Sequence, residues 1–157
     1  MLKIIQMHVN GKQVDVAVDE RESLADTLRY RLGLTSVNKG CAVGECGACT
    51  VLVDREATES WTFLTLWAAG KHILTVEGLK SKPGELSDIQ QTFIDEAAVQ
   101  CVFCTPGIIM SAVEIIEKKQ PYTRAELKVL ISGHLCRCTG YENIIRALEK
   151  LVNGSAG

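Results

Sequence analysis

An α+β fold in two parts is predicted for this chain of 157 residues: a small sheet domain, then a helical one. Three observations predict it. Hydrophobic residues alternate at a period of two near the amino terminus. From about Pro83 onward they recur at helical spacing instead. Seven cysteines fall into three clusters, one in the first half and two in the second.

The elements follow in order. Ile5, Met7 and Val9 share one face, Asn10-Gly11 supplies a tight turn, and Val14, Val16 and Val18 share a face again. Asn-Gly between alternating runs marks a hairpin, because both turn positions need positive φ. Ser23 with Asp26 three residues on resembles a helix start, Leu24, Leu28 and Leu32 mark one helical face, and Gly33 can end it. Thr50–Val53 and Ile73–Val76 read as short strands. In the second half Ser87–Gln90 forms a capping box before Ile89, Phe93 and Ala97. Thr105-Pro106 opens a helix with Ile109, Val113 and Ile116. Thr123–Glu126 caps a third helix with Leu127, Leu130 and Ile131, stopped near Gly133, and a fourth begins near Tyr141 with Ile144, Leu148 and Leu151. The order helix, Cys pair, helix, helix, Cys pair, helix suggests four helices with pseudo-twofold symmetry and both pairs at one end. The domains are then residues 1–78 and 84–157, with the linker near Gly78–Gly84.

Composition excludes several function classes. Seventeen basic against nineteen acidic side chains give a net charge of −2, so no positive surplus offers itself to nucleic acid. With 46% apolar and 23% charged residues the chain can fold, and with 5% aromatics its core must rest on aliphatic side chains. No secretory signal is expected. The longest uncharged run, Ala97 to Val113, contains Gln100, two cysteines and a Pro-Gly pair, and reads as a loop opening a buried helix rather than a membrane span. A cytoplasmic location is expected, and in a reducing compartment clustered cysteines point to metal or redox chemistry.

Cys41-x4-Cys46-x2-Cys49 has the plant-type ferredoxin spacing, which needs a fourth thiolate further along. Gly40, Gly44 and Gly47 let the loop backbone come close to a cluster and turn its N–H groups inward. A zinc loop is the alternative, although zinc sites usually show Cys-x2-Cys pairs without such dense glycine. Cys101-x2-Cys104 and Cys136-x-Cys138 supply four more thiolates. A helix amino terminus at Thr105-Pro106 and the charge of Arg137 favour an anionic cluster there, with structural zinc again the alternative. His8, His72 and His134 lie in different segments and form no triad.

The stretches GCAVGECGACT (40–50), QCVFCTPG (100–107) and GHLCRCTGY (133–141) closely resemble the small iron–sulfur subunit of molybdenum hydroxylases, the xanthine dehydrogenase family. The resemblance covers nearly the whole chain. It implies a β-grasp 2Fe–2S ferredoxin-like domain followed by a four-helix 2Fe–2S domain. It also implies a complex with a molybdopterin-bearing large subunit and an FAD-bearing medium subunit, as a heterotrimer that can dimerise. By the same resemblance, Cys101, Cys104, Cys136 and Cys138 would hold the cluster nearer molybdenum, and Cys41, Cys46 and Cys49 the outer one. Gln100 matches a glutamine that hydrogen-bonds the pterin, and Cys138 the ligand lying closest to it. The chain itself would then be a non-catalytic relay from molybdenum through two clusters to FAD, in an enzyme acting on xanthine or another purine. A stand-alone ferredoxin-like carrier is the alternative.

Three positions depart from that pattern. The fourth outer ligand of the family falls twelve residues after Cys49, where this sequence has Ser60-Trp61. Indole cannot replace a thiolate, so an oxygen such as that of Ser60 completes the set, or the outer cluster is labile or absent, or Trp61 is an error for Cys, whose codons can differ from those of Trp by one base. Val102 replaces a glycine, and a β-branched residue restricts a loop beside a cluster. His134 replaces an asparagine, and a surface or capping role is expected for it.

Overall fold

The computed structural model describes residues 1–80, 82 and 84–154. The strands are β1 (Leu2–Val9), β2 (Lys12–Asp19), β3 (Thr50–Val53), β4 (Glu56–Glu59) and β5 (His72–Leu74). They form one sheet in the order β2-β1-β5-β3-β4, with β1 and β5 parallel and the other neighbours antiparallel. The β1–β2 hairpin turns through Asn10 and Gly11, both at positive φ (51° and 79°), as the sequence requires. The order fits a β-grasp: a helical segment packs against the sheet between its second and third strands. Ile5, Met7, Val9, Val16 and Val18 point into one core with Leu24, Ala25, Leu28, Val37, Val51 and Ile73.

That helical segment starts as α1 (Leu24–Asp26), where the Ser23 hydroxyl accepts from the Asp26 N–H at 3.1 Å. It continues as a π-helical turn over Thr27–Arg31, and Gly33 ends it at φ 70°. Thr27 and Thr65, both fully buried, share a hydrogen bond of 2.8 Å. Thr27 Oγ1 also reaches Glu22 Oε1 at 2.8 Å, and the Arg31 guanidinium closes on the same carboxylate at 2.5 and 2.7 Å. The Arg31 hydrogen bonds hold the Glu22 carboxyl below its ordinary value of 4.5, against a smaller opposing effect of burial. A carboxyl depressed in the folded state stabilises fully above its unfolded pKa, and that contribution fades as the pH falls through 4.5 and below. Glu22→Gln is expected to cost about 1 kcal/mol at pH 7 and less at pH 3. Urea unfolding at the two pH values checks this, and equal losses at both would contradict it.

Strand β5 is shorter and earlier than the periodicity predicts. It spans His72–Leu74 rather than Ile73–Val76 because the Thr75 N–H leaves the ladder to bond Asn10 Oδ1 at 2.9 Å, and Val76–Leu79 becomes a 3-10 turn. That turn occupies the start of the expected linker. Ser81 and Pro83, which complete the linker, lie outside the described residues, as do residues 155–157 of the expected second domain.

The second half is the four-helix array expected: α2 (Asp88–Asp95), α3 (Thr105–Glu117), α4 (Arg124–Leu130) and α5 (Glu142–Gly154). Capping boxes at Ser87/Gln90 and Thr123/Glu126 start α2 and α4. Helix α3 is apolar nearly all round and buried along most of its length, because it is covered on two sides. Ile108, Ile109, Ala112 and Ile115 meet Phe93, Leu127, Ile144, Ile145 and Leu148 of the other helices. Met110 and Val113 pack on Leu52 of β3. Among the described residues no helix is long and apolar enough to cross a membrane.

Candidate metal centres

The first cysteine loop leaves the π-helical turn through residues pinned by Arg29, whose Nη1 donates to the Thr35 and Val37 carbonyls. It then coils through Ala42, Gly44 and Gly47, all at positive φ. The coiling turns backbone donors onto one sulfur: the N–H groups of Val43, Glu45 and Cys46 point to Cys41 Sγ at 3.5, 3.3 and 3.4 Å. They bring that thiol from 9.0 to about 6, so it is available as a thiolate at neutral pH. The Cys46 thiol is near enough to lower it slightly further. Cys49, at the entry to β3, is buried, and burial raises its thiol. The Trp61 N–H and the Ser60 hydroxyl contact the Cys49 sulfur, and the Glu59 carboxylate and Cys46 thiol lie close enough to act on it.

The β3–β4 hairpin explains that neighbourhood. Thr50 pairs with Glu59, and the next rung carries the Ser60 N–H to the Cys49 carbonyl. Ser60 Oγ donates to the same carbonyl at 2.6 Å and is fully buried. Trp61 packs against the sheet core, and Lys39 Nζ stands 3.9 Å over its ring while pairing with Asp26 at 2.6 Å.

The other four cysteines sit in two interhelical loops. Cys104 is the N-cap of α3, at the positive end of the helix, with Pro106 in the first turn. Burial, and then contact with the Cys136 thiol, push Cys104 up to about 12. Cys101 and Cys138 are exposed, and their thiols touch one another. Burial raises the Cys136 thiol, but hydrogen bonds from the Thr139 hydroxyl at 3.0 Å and the Thr139 N–H at 3.4 Å outweigh it and lower the net value. Tyr141, which the sequence marked only as a helix start, organises this loop. Its hydroxyl accepts from the Cys136 N–H at 2.7 Å and donates to the His134 carbonyl at 3.0 Å.

The two loop systems touch. The Leu135 N–H donates to the Cys46 carbonyl at 2.9 Å, and Asn38 Nδ2 donates to the Phe103 carbonyl at 2.9 Å. A Cβ on Gly40 would strike Cys46 Sγ at 2.8 Å and lie 3.4 Å from the Phe103 ring, so glycine is required for that approach. His134 lies in this seam and not at the surface: it is 6% exposed, Nε2 meets Ser111 Oγ at 2.7 Å, and its edge lies against Gly47. Burial lowers its pKa, favouring the neutral ring. The expected surface role fails because the α4–α5 loop folds back onto the first cysteine loop. His8 and His72 do meet, through parallel pairing of β1 and β5, as stacked rings 4.5 Å apart. His134 is in the other half, so no triad forms.

Val102, between Cys101 and Cys104, holds φ at 67°, a left-handed conformation that is costly for a β-branched residue. Val102→Gly is therefore expected to raise stability by about 1 kcal/mol, the relief exceeding the entropy that glycine adds to the unfolded chain. A thermal melt would check this, and a lower midpoint would contradict it. Gln100, next to Cys101, is exposed, with its side-chain amide unengaged among the described residues.

The helical loops fit a 2Fe–2S core: four thiols in two contacting pairs, at a helix amino terminus, with N–H and O–H donors on sulfur. The first loop offers three thiols of the four.

Comparison with known proteins agrees with this chemistry. A family described as "2Fe-2S iron-sulfur cluster binding domain" matches residues 7–69, and a 2Fe–2S binding domain family matches residues 75–149. The chain is 44% identical over 146 residues to the xanthine dehydrogenase iron-sulfur-binding subunit of Escherichia coli O157:H7, covering 92% of this chain and 91% of that one. It is 46% identical over 144 residues to the nicotine 6-hydroxylase small subunit of Paenarthrobacter nicotinovorans, covering 92% and 86%. The crystal structure of quinoline 2-oxidoreductase from Pseudomonas putida 86 contains a chain that superposes with a TM-score of 0.92 at 41% identity, over 98% of this chain and 96% of that one.

Proposed function

This chain belongs to the family of small iron–sulfur subunits of xanthine dehydrogenase and related molybdenum hydroxylases, and from that premise we propose that it relays electrons from the molybdenum centre of a large partner subunit toward FAD in a medium one. The observation that carries this reading is the abutment of the two cysteine systems, joined by the Leu135 N–H to Cys46 carbonyl hydrogen bond. A 2Fe–2S cluster supplies a one-electron carrier.

The chain's own residues do the rest. Cys101, Cys104, Cys136 and Cys138 are the ligands of the inner cluster, and Cys41, Cys46 and Cys49 are the thiolates offered on the outer side. Thr139 and the backbone N–H groups aimed at Cys41 offset negative charge on sulfur, which raises a cluster's potential. Cys101 and Cys138 stay exposed beside the free amide of Gln100, which suits them to face the pterin of the large subunit. Val102, Phe103 and Leu135 are 48%, 47% and 60% exposed around those ligands, an apolar rim that a partner would cover. On this reading the chain is the redox subunit and the partner performs the substrate chemistry.

Xanthine or another purine is the expected substrate of the complex, which is cytoplasmic and heterotrimeric, with dimerisation open to it. Similar chains are named for xanthine, nicotine, nicotinate and caffeine. Purification from the native host under anaerobic conditions tests the assignment. The chain should travel with two larger chains carrying molybdopterin and FAD, and the complex should be coloured. A coloured chain running alone at its own mass would make it a free carrier, and a colourless one a zinc protein.

A further inference from the structure

Building on the iron–sulfur reading, we propose that the loop of the first half is one thiolate short of a stable cluster. The native chain then retains a single 2Fe–2S cluster, in its helical half, and any electron it passes toward FAD leaves from that cluster alone. The supply of thiols carries this. A 2Fe–2S core takes four thiolates, two to each iron. The helical loops present four, Cys101, Cys104, Cys136 and Cys138. The first loop presents three, Cys41, Cys46 and Cys49.

The groups hydrogen-bonded to the Cys49 sulfur are the backbone N–H of Trp61 and the hydroxyl of Ser60, with the Cys46 thiol and the Glu59 carboxylate also close enough to act on it. Position 61 therefore stands where a fourth sulfur is wanted, and tryptophan offers an N–H donor without a lone pair for iron. The indole is also committed elsewhere, packed on the sheet core under the Lys39 ammonium, which Asp26 holds in place.

Neighbouring oxygens do not repair the set. Ser60 Oγ is fully buried and donates to the Cys49 carbonyl at 2.6 Å, a bond that would be lost if the hydroxyl gave up its proton to bind iron as an alkoxide. The Glu59 carboxylate packs against Gly44, where a Cβ would lie 2.8 Å from its Oε2, and a carboxylate is a harder donor than the thiolate such a core takes. Three thiolates, with hard oxygen donors in place of a fourth, leave one iron poorly held and the core open to loss.

Iron and acid-labile sulfide per chain, with electron paramagnetic resonance of the dithionite-reduced full-length protein, test this on material purified anaerobically with its partners. The native protein should hold about two irons per chain and show one rhombic signal. Trp61→Cys, which puts a thiol beside Cys49, should double the iron to about four and add a second signal. Trp61→Phe, which keeps a packed ring and adds no sulfur, should stay at the native value. Four irons and two signals in the native protein would overturn the proposal, as would a Trp61→Cys protein that melts like the native one yet gains no iron. Absence of iron from native and Trp61→Cys proteins alike would instead overturn the iron–sulfur reading on which the proposal rests.

Discussion

Cys104→Ala is expected to leave the native chain without bound iron and without visible colour. Cys104 is the most deeply placed of the four helical-loop ligands, 6% exposed at the N-cap of α3. Its thiol is pushed up to about 12, first by burial, so only a bound cation would draw the proton off at neutral pH. Removing it leaves Cys136 without its partner sulfur and leaves three thiolates where four are needed. Because thiolate-held metal contributes folding free energy directly, on the order of 10 kcal/mol in small structural sites, the helical half should also melt well below the native protein. Iron analysis and a melt followed at the helix band measure both. Retention of about two irons per chain would show that the other loop holds a cluster by itself.

Gly107→Ala is expected to be the most damaging single methyl group. Gly107 lies in the first turn of α3, and a Cβ there would meet the Gly47 carbonyl oxygen at well under 3.0 Å. Both partners are backbone, so no side chain can swing away. In an ordinary helix the change would gain about 1 kcal/mol of propensity. Here overpacking of about 3 kcal/mol should outweigh it, for a net loss near 2 kcal/mol and a fall in melting temperature of about 4–8 °C. The control is Gly133→Ala. Nothing lies within 4 Å of a Cβ at Gly133, and that change should stay within about 0.5 kcal/mol of the native protein. Equal melting of the two variants would sink the argument.

How much of this could be read in advance follows from what each residue's partner was. Helices α2 and α4 announced themselves because their capping boxes are local, and the first hairpin did because Asn-Gly states its own turn. Strand β4 did not. Its residues are Glu-Ala-Thr-Glu, and the preceding turn uses Asp54 and Arg55 at φ 48° and 71°, where arginine in place of glycine at the second position hides the hairpin. The end of β5 depended on a side chain more than sixty positions away, Asn10, and no window along the chain contains both. Leu130 satisfied the helical period of α4 yet is 41% exposed, since that helix is too short and too peripheral to bury a wide face.

The cysteine systems were legible as ligand sets because spacing is a local property. Their mutual contact was not. The Leu135 to Cys46 hydrogen bond, the approach of Gly40 to Phe103 and the burial of His134 against Gly47 all arise from folding one half onto the other. Tyr141 was missed for a related reason. Its hydroxyl braces the Cys136 loop only after the chain has turned through Gly140 and Tyr141, both at positive φ.

Helix α3 has a consequence for descent. Its one flank, through Met110 and Val113, is a wall of the sheet's underside, and its other flank is the spine of the helical array. Neither portion of the molecule owns that wall outright. A ferredoxin borrowed from elsewhere would arrive with a lower surface shaped for water, not for this helix. Shuffling the portions as interchangeable modules is thereby discouraged, and the two are best inherited as a single unit.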